Sequence, residues 1–213
     1  GLKADVWVMH EPQLLPLAGM LRSDQTREWN WVCHIDLTSP NSSVLETLLP
    51  LTHDYDWLVF SLDAYEAREL ASSSWIRIAP PAIDRVSVKN TAMDETEAFN
   101  IVSDMGIDSS RSLITQASRF YLWKDPCVVI DAYRLARKDI PGLQLAMVGL
   151  SEAIDAPESL DVFNSVAGHA GNDPDIHLYF SCDGLPTSID WVVNAFQVAS
   201  RVLLQKSTRK DLA

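Results

Sequence analysis

The chain has 213 residues, 47% hydrophobic and 22% charged, a globular composition that excludes disorder and leaves room for one large domain or two small ones. With 17 basic against 29 acidic residues its formal net charge is −12, which argues against nucleic acid or an anionic membrane as partner. Any anionic ligand would need a local cationic site.

In chain order, short apolar runs predict strands at residues 5–9, 31–35, 57–61 and 75–78, then at 113–117, 143–148, 176–179 and 201–204. Helical spacing predicts helices at 43–51, 64–71, 126–138, 160–168 and 189–199, and a further one around 95–105. Ser188 is placed to cap the helix at 189–199, and Asn41-Ser42-Ser43, formally a glycosylation sequon, reads better as a helix N-cap. The alternation implies an α/β fold of two Rossmann-like units with parallel sheets, each with fewer strands than a complete one. Ala79-Pro80-Pro81-Ala82-Ile83-Asp84 forbids helix and marks a domain connection. The expected division is a first domain at 1–84, a polar linker with a helix at 85–111, and a second domain at 112–213.

The longest apolar runs, such as residues 14–21, are interrupted by Pro16 and fall short of a bilayer span, and no basic start leads into an apolar core. Cys33, Cys127 and Cys182 are far apart and odd in number, as expected of unpaired thiols in a reducing cytoplasm. No G-x-G-x-x-G, P-loop, H-E-x-x-H or paired Cys-x-x-Cys is present, so no metal or cofactor is called for. Asp173-Pro174-Asp175 reads as a turn before it reads as a metal-binding D-x-D. Trp7, Trp31, Trp57 and Trp75 fall in or beside apolar strands, as core residues do.

Two stretches could carry chemistry. Cys33-His34-Ile35-Asp36 closes a predicted strand, at the edge where open α/β sheets bind ligands. His34 could bond a sugar hydroxyl or a phosphate, with Asp36 orienting it, or could simply be satisfied by its own loop; His10 has the same placement and the same two readings. Ser118-Arg119-Phe120-Tyr121-Leu122-Trp123-Lys124 follows another strand and precedes a helix. Two cations and a helix N-terminus there suit a diphosphate, though a solvated loop would have the same composition. Gly149, after the run ending at Val148, suits a close backbone approach.

At these residues the sequence resembles the glycosyltransferring trehalose synthases and the retaining trehalose phosphorylases, in family four of the glycosyltransferases. The similarity rests on an ordered set covering nearly the whole chain. It begins with His10-Glu11-Pro12-Gln13, the run from Trp31 to Asn41, and Pro80-Pro81-Ala82-Ile83-Asp84. Ser118-Arg119-Phe120 with Trp123-Lys124, Pro141-Gly142-Leu143 with Val148-Gly149, and Asn194-Ala195-Phe196-Gln197 continue it.

The resemblance implies two facing Rossmann-like domains (GT-B) and metal-free transfer of glucose from a nucleoside-diphosphate-glucose to glucose, with retention. The partners would be a nucleotide sugar and glucose or trehalose, and exposed strand edges would favour a homodimer. A phosphorylase, or a non-catalytic nucleotide-binding remnant, is the alternative. It further implies that Arg119 and Lys124 stabilise the departing diphosphate beside Ser118 and Gly149. His34 would reach the sugar, and His10 and Asp36 would shape the acceptor side. The sequence departs from that pattern at Val32, where the family has Arg, and at Arg201, where it has Asp. After Arg209 the glutamate-bearing Glu-Gly-Phe-Gly segment is replaced by Lys210-Asp211-Leu212-Ala213, so the chain alone is expected to be inactive.

Overall fold

A computed structural model describes residues 3–22, 27–66, 68–70, 73–150 and 157–208. The chain divides into two compact units, Gly1–Ile83 and Asp84–Ala213. Among the described residues no helix is long and apolar enough to cross a membrane.

The first unit is built on a parallel sheet of β1 (Val6–His10), β2 (Glu28–Cys33), β3 (Trp57–Phe60) and β4 (Ile76–Ile78), in the order β1-β2-β3-β4. The strict alternation of β2 decides its two faces. Trp29, Trp31 and Cys33 are buried, while Asn30 on the other face donates to the Glu28 carboxylate at 2.9 Å. Polar Glu28 and Asn30 hide this strand from an apolar-run reading, so it begins three residues before the expected 31–35 and ends at Cys33. Helices α1 (Leu17–Leu21) and α2 (Ser42–Leu48), with a 3-10 helix at Leu49–Asp54, supply the rest of the core around Leu15, Ala18, Leu45, Leu58 and Phe60. Asn41 caps α2, its side-chain oxygen accepting from Val44 N–H at 3.3 Å. Trp7 stacks on Trp29 with ring centres 5.2 Å apart, and Arg77 lies 3.5 Å over the Trp57 ring. Val6 and Val8 of β1 remain exposed.

The helix expected at 64–71 is not formed over its described residues. A 3-10 turn at Asp63–Tyr65 stands there, because the Tyr65 ring is buried and its carbonyl accepts Leu37 N–H at 2.9 Å instead of continuing a helix. Residues 67, 71 and 72 lie outside the described set.

The second unit has β5 (Leu113–Ala117), β6 (Gln144–Val148), β7 (Ile176–Tyr179) and β8 (Val202–Leu203), all parallel, in the order β7-β6-β5-β8. Every residue of β6 is buried, as in a central strand covered on both faces. Helices α3 (Glu95–Asp104) and α6 (Ile189–Ala199) enclose Val102, Ala146, Val192 and Phe196 on one side. Helices α4 (Pro126–Ala136) and α5 (Pro157–Ala170) enclose Ile130, Tyr133, Leu145 and Met147 on the other. Ser188 caps α6 by accepting from Trp191 N–H at 3.4 Å. The segment read as a linker lies within this unit, where α3 packs on α6 and the Asn194 amide donates to Thr91 O at 2.8 Å and Val88 O at 3.2 Å.

Asp173 and Asp175 form a turn. Asp175 N–H bonds the Asp173 carboxylate at 3.1 Å, and Arg137 and Arg111 pair with the two acids at 2.6 and 2.7 Å. The three cysteines are free, Cys33 buried and Cys127 and Cys182 partly so.

Candidate functional site

In the second sheet the chain passes from β5 to β6 on one side, while β8 adds on the other. The strand order therefore reverses between β5 and β8, and such a reversal opens a crevice at the carboxyl ends of the strands. The loop from Ser118 to Asp125 leaves β5 at that point. Ser118 N–H bonds Val148 O at 3.0 Å, tying the loop's start to the end of β6. Phe120 turns inward to 2% exposure, edge-on to Phe163 at 5.2 Å, so Arg119 beside it is directed outward. Arg119 is exposed, and its guanidinium donates to the Tyr121 hydroxyl at 3.5 Å. Tyr121 in turn stacks on Trp123, centre to centre 4.7 Å.

Lys124 ends a 3-10 turn at Leu122–Lys124, and its carbonyl accepts from the buried Gln116 amide at 2.9 Å. Asp125 then adopts a left-handed conformation, φ 49°, and α4 begins. Gly149 follows β6 and lies against Phe120 and the Ser118 carbonyl, as a close approach requires. Ser118, Phe120 and Gly149 are thus brought together directly, with Arg119 and Lys124 carried on the same loop.

In the first unit His10 ends β1 and His34 follows β2. Their rings stack within 6° of parallel, and His10 Nδ1 lies 3.0 Å from His34 Nε2. One ring donates and the other accepts. Glu11, next in the chain, has φ 69° and ψ 159°, a region adopted almost only by glycine, costing on the order of 1–3 kcal/mol. It is held there by its N–H to Val32 O at 2.9 Å and by the Trp31 indole donating to its carbonyl at 3.0 Å. Asp36 does not orient His34: its carboxylate accepts Thr38 N–H at 2.7 Å, closing its own turn, and the group meeting His34 is His10.

Residues 2–67 match the family described as trehalose synthase, N-terminal domain. The trehalose synthase of Rubrobacter xylanophilus is 39% identical over 214 residues, covering 99% of this chain and 50% of that protein. That of Pyrococcus horikoshii is 37% identical over 206 residues, covering 97% and 48%. Over nearly its whole length the chain is thus similar to the trehalose synthases. It spans about half the length of the curated relatives it matches.

Among solved structures, the UDP-forming α,α-trehalose-phosphate synthase of Burkholderia xenovorans superposes with a TM-score of 0.70 at 18% identity, over 98% of this chain and 54% of that one. Anabaena HepE, solved with UDP and glucose, gives 0.71 at 12% identity, over 97% and 54%. At such identities the likeness speaks for the fold, which is that of the GT-B glycosyltransferases.

Beyond the residues singled out from sequence, a third cation stands at the crevice edge. Past β8, Lys206 pairs with Asp125 at 3.2 Å and Thr208 N–H bonds Trp123 O at 2.8 Å, so the 205–208 segment lies along the loop holding Lys124. No sequence pattern marked this, since the segment reads as a polar tail. Glu11 was equally hidden, because nothing in its residue type announces a backbone that glycine would favour. The positions beyond Thr208, including Arg209 and Lys210, lie outside the described residues.

Proposed function

We propose that this chain carries the diphosphate-binding and sugar-recognising parts of a retaining glycosyltransferase that moves glucose from a nucleoside-diphosphate-glucose to glucose, making trehalose. The observation that carries the reading is the Ser118–Asp125 loop, which sets Arg119 and Lys124 at the strand-order reversal of the second sheet. The names of the relatives support the choice of donor and product.

In the transfer, the bond between the anomeric carbon and the diphosphate oxygen breaks with its electron pair leaving on the diphosphate. The acceptor hydroxyl oxygen bonds that carbon on the same face, and its proton passes to the departing phosphate. Charge grows on the diphosphate as this happens, so cations already in place act where they matter most, and removing one such group typically costs several kcal/mol. Arg119 can grip phosphate oxygens bidentately and Lys124 adds a point charge. In the first unit, His34 serves the donor sugar hydroxyls and His10 and Asp36 the acceptor.

Isothermal titration with UDP, ADP and GDP tests the reading. Arg119→Ala and Lys124→Ala should each weaken the preferred nucleotide by about 1.5–3 kcal/mol. Lys124→Arg should restore it only in part, because a fork replaces a point charge. Unchanged affinity in both alanine variants would overturn the proposal. His34→Ala should remove the extra affinity of the nucleotide sugar over the bare diphosphate.

A further inference from the structure

The second unit has a cavity at the opposite edge of its sheet, where the chain enters β5 and β8. It measures about 540 Å³, within the roughly 300–1,000 Å³ usual for small-molecule sites. Ser112 and Arg201 line it just ahead of the two strands, Ser110 and Arg111 line the approach, and Glu95 and Phe99 face it from α3.

The two arginines differ. Arg111 is already engaged, its Nε donating to Gly142 O at 2.9 Å and its Nη2 paired with Asp175 at 2.7 Å. Arg201 is fixed only through its backbone, N–H to Leu113 O at 2.8 Å. Its guanidinium makes no ion pair or hydrogen bond with any described residue. In a chain of net charge −12, an uncommitted guanidinium in a cavity is an anion site awaiting its anion.

The rest of the lining suits hydroxyl groups. The Ser110 hydroxyl donates to the Asp108 carboxylate at 2.6 Å, which leaves its oxygen free to accept. Ser112 adds a donor and acceptor, the Glu95 carboxylate accepts from hydroxyls, and Phe99 offers a ring for a sugar's C–H face. The volume far exceeds what one inorganic anion needs.

We propose that this cavity is a second ligand site, for a phosphate monoester of a sugar or other polyol, with Arg201 on the phosphate and Ser110, Ser112 and Glu95 on the hydroxyls. It lies wholly within the second unit, and no residue of the Ser118–Asp125 loop lines it. The site does not depend on the chemistry proposed for the carboxyl edge.

Titration calorimetry on the whole chain tests it, with glucose 6-phosphate as probe and inorganic phosphate, glucose and UDP as comparisons. Glucose 6-phosphate should bind more tightly than phosphate or glucose alone. Arg201→Ala should weaken it by roughly tenfold or more and leave UDP unaffected, while Arg119→Ala does the reverse. Arg201 is exposed, so its variants keep the fold, checked by an unchanged melting temperature. Equal glucose 6-phosphate affinity in Arg201→Ala and the parent overturns the proposal, as does displacement of glucose 6-phosphate by UDP. Inorganic phosphate binding as tightly as the ester overturns the polyol assignment. Loss of the UDP arm alone would instead count against the carboxyl-edge reading.

Discussion

Gly149 follows β6 under the ring of Phe120, and a Cβ added there would come 2.5 Å from the ring and 2.9 Å from the Ser118 carbonyl. The ring is pinned by Phe163 and Phe180, and a strand-end carbonyl cannot swing away. Gly149→Ala should therefore cost about 1–3 kcal/mol of stability and loosen the cationic loop, measured by denaturant unfolding and nucleotide titration. An unchanged midpoint would mean that Phe120 is not held as described. Cys33 acts through protonation. Burial pushes its thiol from 9.0 up to about 12, and burial pushes the Tyr179 hydroxyl upward as well. A group that holds its proton more tightly when folded contributes fully below its unfolded pKa and loses that contribution as pH climbs toward the folded value. Stability should fall between pH 9 and 12, and Cys33→Ala should flatten the fall relative to the parent.

Helices and strands were legible where one force dominated. Helix α6 appears at the predicted residues because Ser188, the apolar spacing and a following strand all agree. Strands β5 and β7 likewise match, being short apolar runs bounded by polar turns. The 64–71 region failed because the burial of Tyr65 and its bond to Leu37 come from distant sequence and override local helical spacing. Of the candidate site, the loop bearing Arg119 and Lys124 was readable from its strand–cation–helix order. The His10–His34 pairing was not, because parallel register is not written in either strand alone. Asn194 illustrates a tie between elements, joining α6 to the 88–91 turn through two carbonyls while almost fully buried. Asn194→Ala should cost about 1–3 kcal/mol, the scale for losing two hydrogen bonds, and should expose the 84–91 segment to faster amide exchange. Parent-like exchange there would refute the tie.

Taken whole, the chain's two units join through a segment whose Ile83 and Val86 are 75% and 86% exposed, while α3 just beyond is packed on α6. Trypsin should cut first after Arg85 and leave two fragments matching the units. A first cut inside β6 would contradict this organisation. The strand orders also carry a consequence in time. The first sheet joins strands in the order they are made, so each closes only a short loop. The second cannot pair Ile114 with Val202 until everything between has been made, a long closure of the kind that slows folding. During synthesis the first sheet can close early, whereas the crevice beside β5 waits for β8 and for Thr208 to reach Trp123. Until then the edge of β5 has no partner on that side, and a nascent chain stalled there would be most prone to misassociation just where the finished protein presents its cations.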